Sequence, residues 1–342
     1  MNVRLLRLSK RCFHISSVST QEQVMNVFDR KTKGFQRERA ANLENVDDFD
    51  YMKEEFGYRL ADRVFDITRD MKVCVDIGSG RGYVSRHLTQ HAGSKLYCLE
   101  MSHSWLNQCE LPPKEENIHV EKIQFNEDNQ KLPFENDSVD IVTSSLSLHW
   151  VNNLPGLFKE IHRILKKDGV FVGSMFGGDT LFELRGSLQL AELEREGGFG
   201  THVSPFVEVQ DLGNLLNRSG FTMLTIDSDE VVIRFPSIMQ LMRDLKGMAE
   251  NNASWSRKLR LNKDTLIATN AIYKGLYGLD DETIPATFQV YFWIGWKPHP
   301  SQPKPLKPQK SDVSLKDLYR LEEVAKSVTE EKEQINKDPE KS

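Results

Sequence analysis

Residues 73–82 read Val-Cys-Val-Asp-Ile-Gly-Ser-Gly-Arg-Gly, an apolar run that breaks into an acid and three alternate glycines. A short apolar run closed by glycines predicts a buried strand running into a tight loop. Glycines at 78, 80 and 82 let the main chain turn sharply and approach a bulky ligand with no Cβ in the way. The dinucleotide fingerprint is spaced G-x-G-x-x-G; the spacing here is G-x-G-x-G, with Asp76 two residues ahead. That pattern suits a ligand with an ammonium group and ribose hydroxyls in need of acceptors. It suits less well a pyrophosphate seeking a helix N-terminus. S-adenosyl-L-methionine is such a ligand, and a helix predicted from Val84 through Leu88 onward completes the loop.

The rest of the chain repeats the alternation. Strands are predicted at 95–100, 119–125, 139–144, 170–174, 221–227 (with an extension to Arg234) and 287–294. Helices are predicted at 51–68, 154–166, 207–219, 237–249 and 263–277, a helical stretch spans 176–196, and a helical lead-in covers 24–41. Strands and helices at this spacing predict an α/β fold, a doubly wound, mostly parallel seven-stranded sheet with helical insertions. Such sheets bind ligands outside the carboxyl ends of their strands. Glu100 closes the second strand, 18 residues after Gly82, where an acid accepts from ribose hydroxyls. Asp128 lies just past the third, four residues before Leu132-Pro133-Phe134, where an acid accepts from an adenine amino group. The fourth strand exits into Ser144-Ser-Leu-Ser-Leu-His149-Trp150. There His149 is a candidate base near neutral pH, and Trp150 a surface for a cation.

At 342 residues and 28% charged positions the chain is long for one domain and short for two large ones. A net charge of −5 points away from nucleic acid. No apolar run is long enough to cross a bilayer. Cys12, Cys74, Cys98 and Cys109 form no C-x-x-C, and Cys74 and Cys98 read as small buried hydrophobes. The first residues carry Arg4, Arg7, Lys10 and Arg11 with no acid before Glu22, interleaved with Leu5, Leu6, Leu8, Phe13 and Ile15. That is the composition of a mitochondrial transit peptide. Arg11-Cys-Phe-His-Ile-Ser16 resembles a two-step processing site that leaves Gln21 first. The expected organisation is a transit peptide over 1–20, a helical lead-in over 21–70, the cofactor-binding α/β domain with its helical insertions over 71–298, and a charged tail over 299–342.

Two motifs, Asp76-Ile-Gly-Ser-Gly-Arg-Gly82 and Leu132-Pro-Phe-Glu-Asn-Asp-Ser-Val-Asp140, resemble those of class I S-adenosylmethionine-dependent methyltransferases. Longer strings narrow the likeness: Ser144–Val151, Met175-Phe-Gly-Gly-Asp-Thr-Leu-Phe-Glu-Leu-Arg185, Ala191–Phe199, Pro285–Tyr291 and Ile294–Lys297. Over residues 24–298 the chain resembles the mitochondrial NADH dehydrogenase (complex I) assembly factors of methyltransferase fold. That resemblance implies a matrix enzyme, peripheral at the inner membrane, that hydroxylates an arginine of a complex I iron–sulfur subunit alongside other assembly factors. It also implies cofactor contacts from Asp76, Gly78, Gly80, Gly82, Glu100, Met101 and Asp128; Ser79 stands where relatives often carry Cys. Around Ser144–Pro155 the chain also resembles malonyl-carrier O-methyltransferases, so methyl transfer and a non-catalytic assembly role stand beside hydroxylation. Hydroxylation needs an oxidant, and no iron, haem or flavin motif is evident; His119-Val-Glu121 matches half an iron-binding spacing by chance. A substrate guanidinium needs acids, and Asp179 and Glu183, with Glu194 and Glu196 nearby, are the candidates.

Overall fold

The computed structural model describes residues 26–128 and 131–303. The expected transit peptide, and the tail beyond residue 303, lie outside the described residues. Two units divide the chain, residues 1–299 and 300–342, and every element named below belongs to the first.

Seven strands form one sheet in the order β3-β2-β1-β4-β5-β7-β6. They are β1 (Val73–Ile77), β2 (Lys95–Glu100), β3 (His119–Gln124), β4 (Val139–Ser145), β5 (Leu165–Phe176), β6 (Thr222–Phe235) and β7 (Ile284–Trp296). The first five run parallel, and β7 pairs antiparallel with both β5 and β6. The order reverses between β1 and β4, so the loops after those two strands open the crevice where this topology binds ligands.

The strands alternate between two apolar layers. On β1, Cys74 belongs to one buried cluster and Val75 to the other; on β5, Val170 and Val172 face one layer and Phe171 its opposite. Helices α2 (Tyr51–Phe65), α5 (Phe182–Glu196), α7 (Ile238–Gly247) and α8 (Lys263–Tyr277) supply Phe56, Leu60, Leu188, Leu241 and Tyr273 to the first layer. The opposite layer takes Phe158, Ile161, Leu212 and Leu216 from α4 (Leu154–Ile164) and α6 (Val209–Arg218). Helix α4 starts where Asn153 caps it with a bond from Gly156 N and Pro155 enters its first turn.

The helix expected from Val84 onward is absent. Residues 85–87 and 90–92 make single 3-10 turns, and Leu88 between them is extended. The preceding segment has taken the place: α2 lies so close that a Cβ on Gly57 would sit 2.3 Å from the Tyr83 carbonyl oxygen. Two short elements complete the crevice, α1 (Arg30–Ala41) and α3 (His103–Gln108), the latter capped by Ser102 and not foreseen from sequence.

Candidate cofactor site and the helix that covers it

The loop after β1 is built by hydrogen bonds that only a sharp turn allows. Gly78 N and Ser79 N both donate to the Leu99 carbonyl at 2.8 and 3.0 Å. Gly78 has φ +69°, and a Cβ there would lie 2.1 Å from Ser147 Oγ, so the loop and the exit of β4 touch. Gly80 N donates to Glu100 Oε2 at 3.1 Å, tying the loop to the end of β2. The space that the missing side chain leaves is filled by the Glu110 carbonyl at Gly82, 2.3 Å from an ideal Cβ, and by the Tyr83 ring at Gly80, 2.7 Å away.

Three buried polar atoms around this loop have no hydrogen-bond partner: Asp76 Oδ2, Ser79 Oγ and Glu127 Oε1. Asp76 is fully buried, and its other oxygen accepts from Thr143 Oγ1 at 2.9 Å. Burial, with smaller contributions from Cys109 and Glu100, pushes its carboxyl up to about 7. An unsatisfied buried acceptor is costly, and two of them beside a glycine loop fit a ligand that brings N–H or O–H donors. S-adenosylmethionine brings both.

The acids expected to hold that ligand are present but not open. Glu100 is buried and accepts Ser102 N and Arg37 Nη1 on Oε1, each at 2.9 Å. Asp128 accepts Asn152 N at 2.7 Å, Asn153 N at 3.1 Å and Asn152 Nδ2 at 3.0 Å, so it fixes the loop before α4. It also lines a cavity with Arg30, Asn152 and Asn153. The acid that faces the glycine loop is its neighbour Glu127, whose Oε1 lies 3.7 Å from the ideal Cβ of Gly78. Met101 contributes packing, its Cε 3.3 Å from the ideal Cβ of Gly34 on α1.

Helix α1 covers the crevice with charge. Arg30, Lys33 and Arg37 follow each other at i, i+3 and i+7, one face of a helix, and all three are buried while Phe35 on the opposite face is 64% exposed. Arg30 pairs with Glu127, lies 3.2 Å from Asp128, and donates to the Trp150 carbonyl at 3.1 Å. Arg37 spans the mouth of the loop, donating to Glu100 and, at 2.9 Å, to Ser147 Oγ. Burial opposes its charge, but the Glu100, Glu127 and Glu250 carboxylates together more than offset this and raise its pKa. Lys33 Nζ donates to the Ala249 and Asn251 carbonyls and stands 3.2 Å from the centre of the Trp150 ring. The face of Trp150 is thus covered by the amine of the chain's own Lys33. Burial pushes the Lys33 pKa well down.

His149 is buried, and its Nε2 lies 3.1 Å from Glu250 Oε2, which also accepts Trp150 Nε1 at 2.8 Å; Lys53 Nζ is 3.3 Å from Oε1. Burial lowers the His149 pKa despite the Glu250 partner, so the ring is neutral at pH 7 and its Nδ1 has no partner. The ring also packs on Phe176 and Phe206, at 4.9 and 6.0 Å between centroids. Phe206 lines two adjoining cavities of about 460 and 260 Å³ beyond the end of β5, and Gly178, Arg185 and His202 are among their other walls.

Of the acids expected to receive a substrate guanidinium, Asp179 is exposed beside this opening. Glu183 is not available. It is 2% exposed, and its carboxylate accepts both the Thr287 hydroxyl and Thr287 N, joining α5 to β7. Glu196 is taken by Lys258 and Thr265, and Glu194 pairs with Arg195. His119 and Glu121 stand exposed on the edge strand β3, 3.6 Å apart.

Sequence reasoning missed Arg30, Lys33, Arg37 and Glu250. The first three were legible as a cationic stripe at helical spacing. Glu250 carried no signal, being brought in by the turn after α7.

A family model for a methyltransferase domain matches residues 75–173, from the glycine loop through β5. The mitochondrial arginine-hydroxylase NDUFAF5 of Danio rerio is 48% identical over 302 residues, covering 88% of this chain and 92% of that protein. The Homo sapiens protein of the same name is 45% identical over 303 residues, 89% of this chain and 86% of that one. A malonyl-[acyl-carrier protein] O-methyltransferase of Nitrosospira multiformis is 28% identical over 304 residues, 83% of this chain and 95% of that one.

Proposed function

The chain belongs to the family of mitochondrial arginine-hydroxylases it matches over nearly their whole length, and on that footing we propose that it is an enzyme of complex I assembly. It binds S-adenosylmethionine at the glycine loop and hydroxylates an arginine of a complex I iron–sulfur subunit. It acts in the mitochondrial matrix with other assembly factors, peripheral at the inner membrane. The basic leader supports the compartment. Among the described residues no helix is long and apolar enough to cross a membrane.

The observation that carries the cofactor half is Asp76: a fully buried carboxyl with one unpartnered oxygen beside a glycine turn. Asp76 and Glu127 would accept from the ligand's ammonium group, Gly78 and Gly80 would let its chain approach, and Glu100 would take the ribose hydroxyls. When bound, the ligand supplies a sulfonium with a transferable methyl group. The protein's own part is to desolvate and orient that group. His149, held neutral between Glu250 and the Phe176–Phe206 pair, packs against Phe206, which lines the cavities beyond β5. Its free Nδ1 is the acceptor closest to hand for a proton. Asp179 is retained as a substrate contact at the rim; Glu183 is withdrawn. Among the described residues no three His, Cys, Asp or Glu side chains gather as a metal-ligand group, and no step of oxygen activation is assigned to them.

Methyl transfer is the second reading, favoured by the likeness to the carrier-protein O-methyltransferase. Mass spectrometry of the arginine-bearing peptides of the iron–sulfur subunit separates the two, comparing cells with this protein, without it, and with Gly80→Arg. Loss of one oxygen's mass from an arginine without the protein supports hydroxylation. Loss of one methylene's mass supports methyl transfer. Unchanged peptides with failed assembly overturn both, in favour of a chaperone.

A further inference from the structure

We propose that Arg37 sets the affinity of the adenosyl site by competing for it: its guanidinium occupies the place on Glu100 that the ribose hydroxyls must take. This rests on the S-adenosylmethionine reading above. The argument is a count of acceptor positions. A carboxylate offers about four lone-pair sites. On Glu100, Gly80 N and Ser102 N hold one each, and both donors are main chain, fixed by the loop and by the turn before α3. Arg37 Nη1 holds the third. A ribose diol brings two donors and one site is left, so both can bind only if the guanidinium leaves.

The geometry makes Arg37 the partner that yields. Its second contact, Ser147 Oγ, is the atom that abuts Gly78. The guanidinium therefore bridges the two banks of the crevice, the β2 acid on one side and the β4 exit on the other. The helix that carries it is anchored independently: Lys33 on Ala249 and Asn251, Arg30 on Glu127 and Trp150, and Phe28 N on Asn152 Oδ1 at 2.7 Å. An arginine side chain has several rotatable bonds, so it can swing off Glu100 while α1 stays in place. In the ligand-free protein Arg37 neutralises Glu100; in the complex the diol replaces it.

The test measures S-adenosylhomocysteine binding by calorimetry to the wild-type protein and to Arg37→Met, with circular dichroism to confirm folding. Removing one charge-assisted hydrogen bond that opposes the ligand should lower the dissociation constant roughly tenfold. A folded R37M that binds equally well overturns the competition, and one that binds more weakly also makes Arg37 a ligand contact; either leaves the cofactor reading standing. Binding by neither protein overturns both together. Should R37M fail to fold, arginine Nε–H signals in wild-type protein decide. Faster solvent exchange of Arg37 on adding S-adenosylhomocysteine supports release, and unchanged protection overturns it.

Discussion

Ligand binding at this site should be coupled to a proton, and the size of the effect follows from Asp76. Its carboxyl is raised from 3.8 to about 7 because it is buried with one oxygen unpaired. An ammonium group donating to that oxygen supplies the missing counter-charge and pulls the pKa back into the ordinary carboxylate range. The ligand-free protein then carries about 0.9 proton on Asp76 at pH 6 and about 0.1 at pH 8, and binding expels it. Affinity for S-adenosylhomocysteine should rise about tenfold over that interval. Stability of the ligand-free protein runs the other way. Between about 4 and 7 the folded state holds a proton that the unfolded chain has lost, so stability falls as pH rises through that window, by about 4 kcal/mol at most. Calorimetry in two buffers of unlike ionisation enthalpy counts the protons directly. Cys109 titrates in the same window, its thiol lowered to about 7 chiefly by the hydrogen bond from Cys98. Asp76→Asn must therefore remove the coupling and Cys109→Ser must keep it. Binding without proton release at pH 6, with an affinity independent of pH, would refute the argument: Asp76 would then be ionised in the free protein or untouched by the ligand.

Three further outcomes are expected. Gly78→Ala places a Cβ 2.1 Å from Ser147 Oγ at φ +69°; it should abolish S-adenosylhomocysteine binding and cost about 1–3 kcal/mol in urea unfolding. Glu183→Ala strands the buried Thr287 amide and should cost about 3 kcal/mol, while capture of the iron–sulfur subunit by the remaining folded protein stays unchanged; weakened capture would restore Glu183 to the substrate site. Asp179→Asn, on an exposed loop, should leave the unfolding midpoint within about 0.5 kcal/mol of wild type and weaken subunit capture in a pull-down; undiminished capture removes Asp179 from the site.

The sheet was legible because its signal is local. Strands at 73–77 and 95–100 and the helix at 263–277 have the boundaries that periodicity and glycine placement indicate. Prediction failed where a tertiary neighbour decided. Val84–Leu88 carries helical spacing, but α2 already covers that face and leaves room for only two 3-10 turns. Side-chain direction failed in the same way. Glu127 and Asp128 are adjacent acids past β3, and nothing in their order tells which one turns toward the glycine loop. That is settled by Asn152 and Asn153, whose amides lie within reach of Asp128 only after the chain has folded. Glu183 was misread because an acid in a polar helix resembles a solvated one until β7 brings Thr287 against it.

Helix α1 shows why charge alone is a poor guide to exposure. Mean hydropathy marks residues 30–41 as a surface segment, yet Arg30, Lys33 and Arg37 are inside while Lys31, Arg39 and Phe35 are out. Reversed amphipathicity of this kind is tolerable only if acceptors are waiting: Glu127 and Asp128 meet Arg30 and Glu100 meets Arg37 at 2.5–3.2 Å, and two main-chain carbonyls hold Lys33. Packed apolar residues would serve stability as well or better, so the acids are retained for another purpose. Two of them, Glu100 and Glu127, border the glycine loop, where a ligand rich in donors requires acceptors. Arg30 and Arg37 pair with those acceptors in the ligand-free protein. Arg30 and Arg37 of α1 thus meet the two acids that border the glycine loop, which is why the lead-in to the fold is buried against that loop despite its charge.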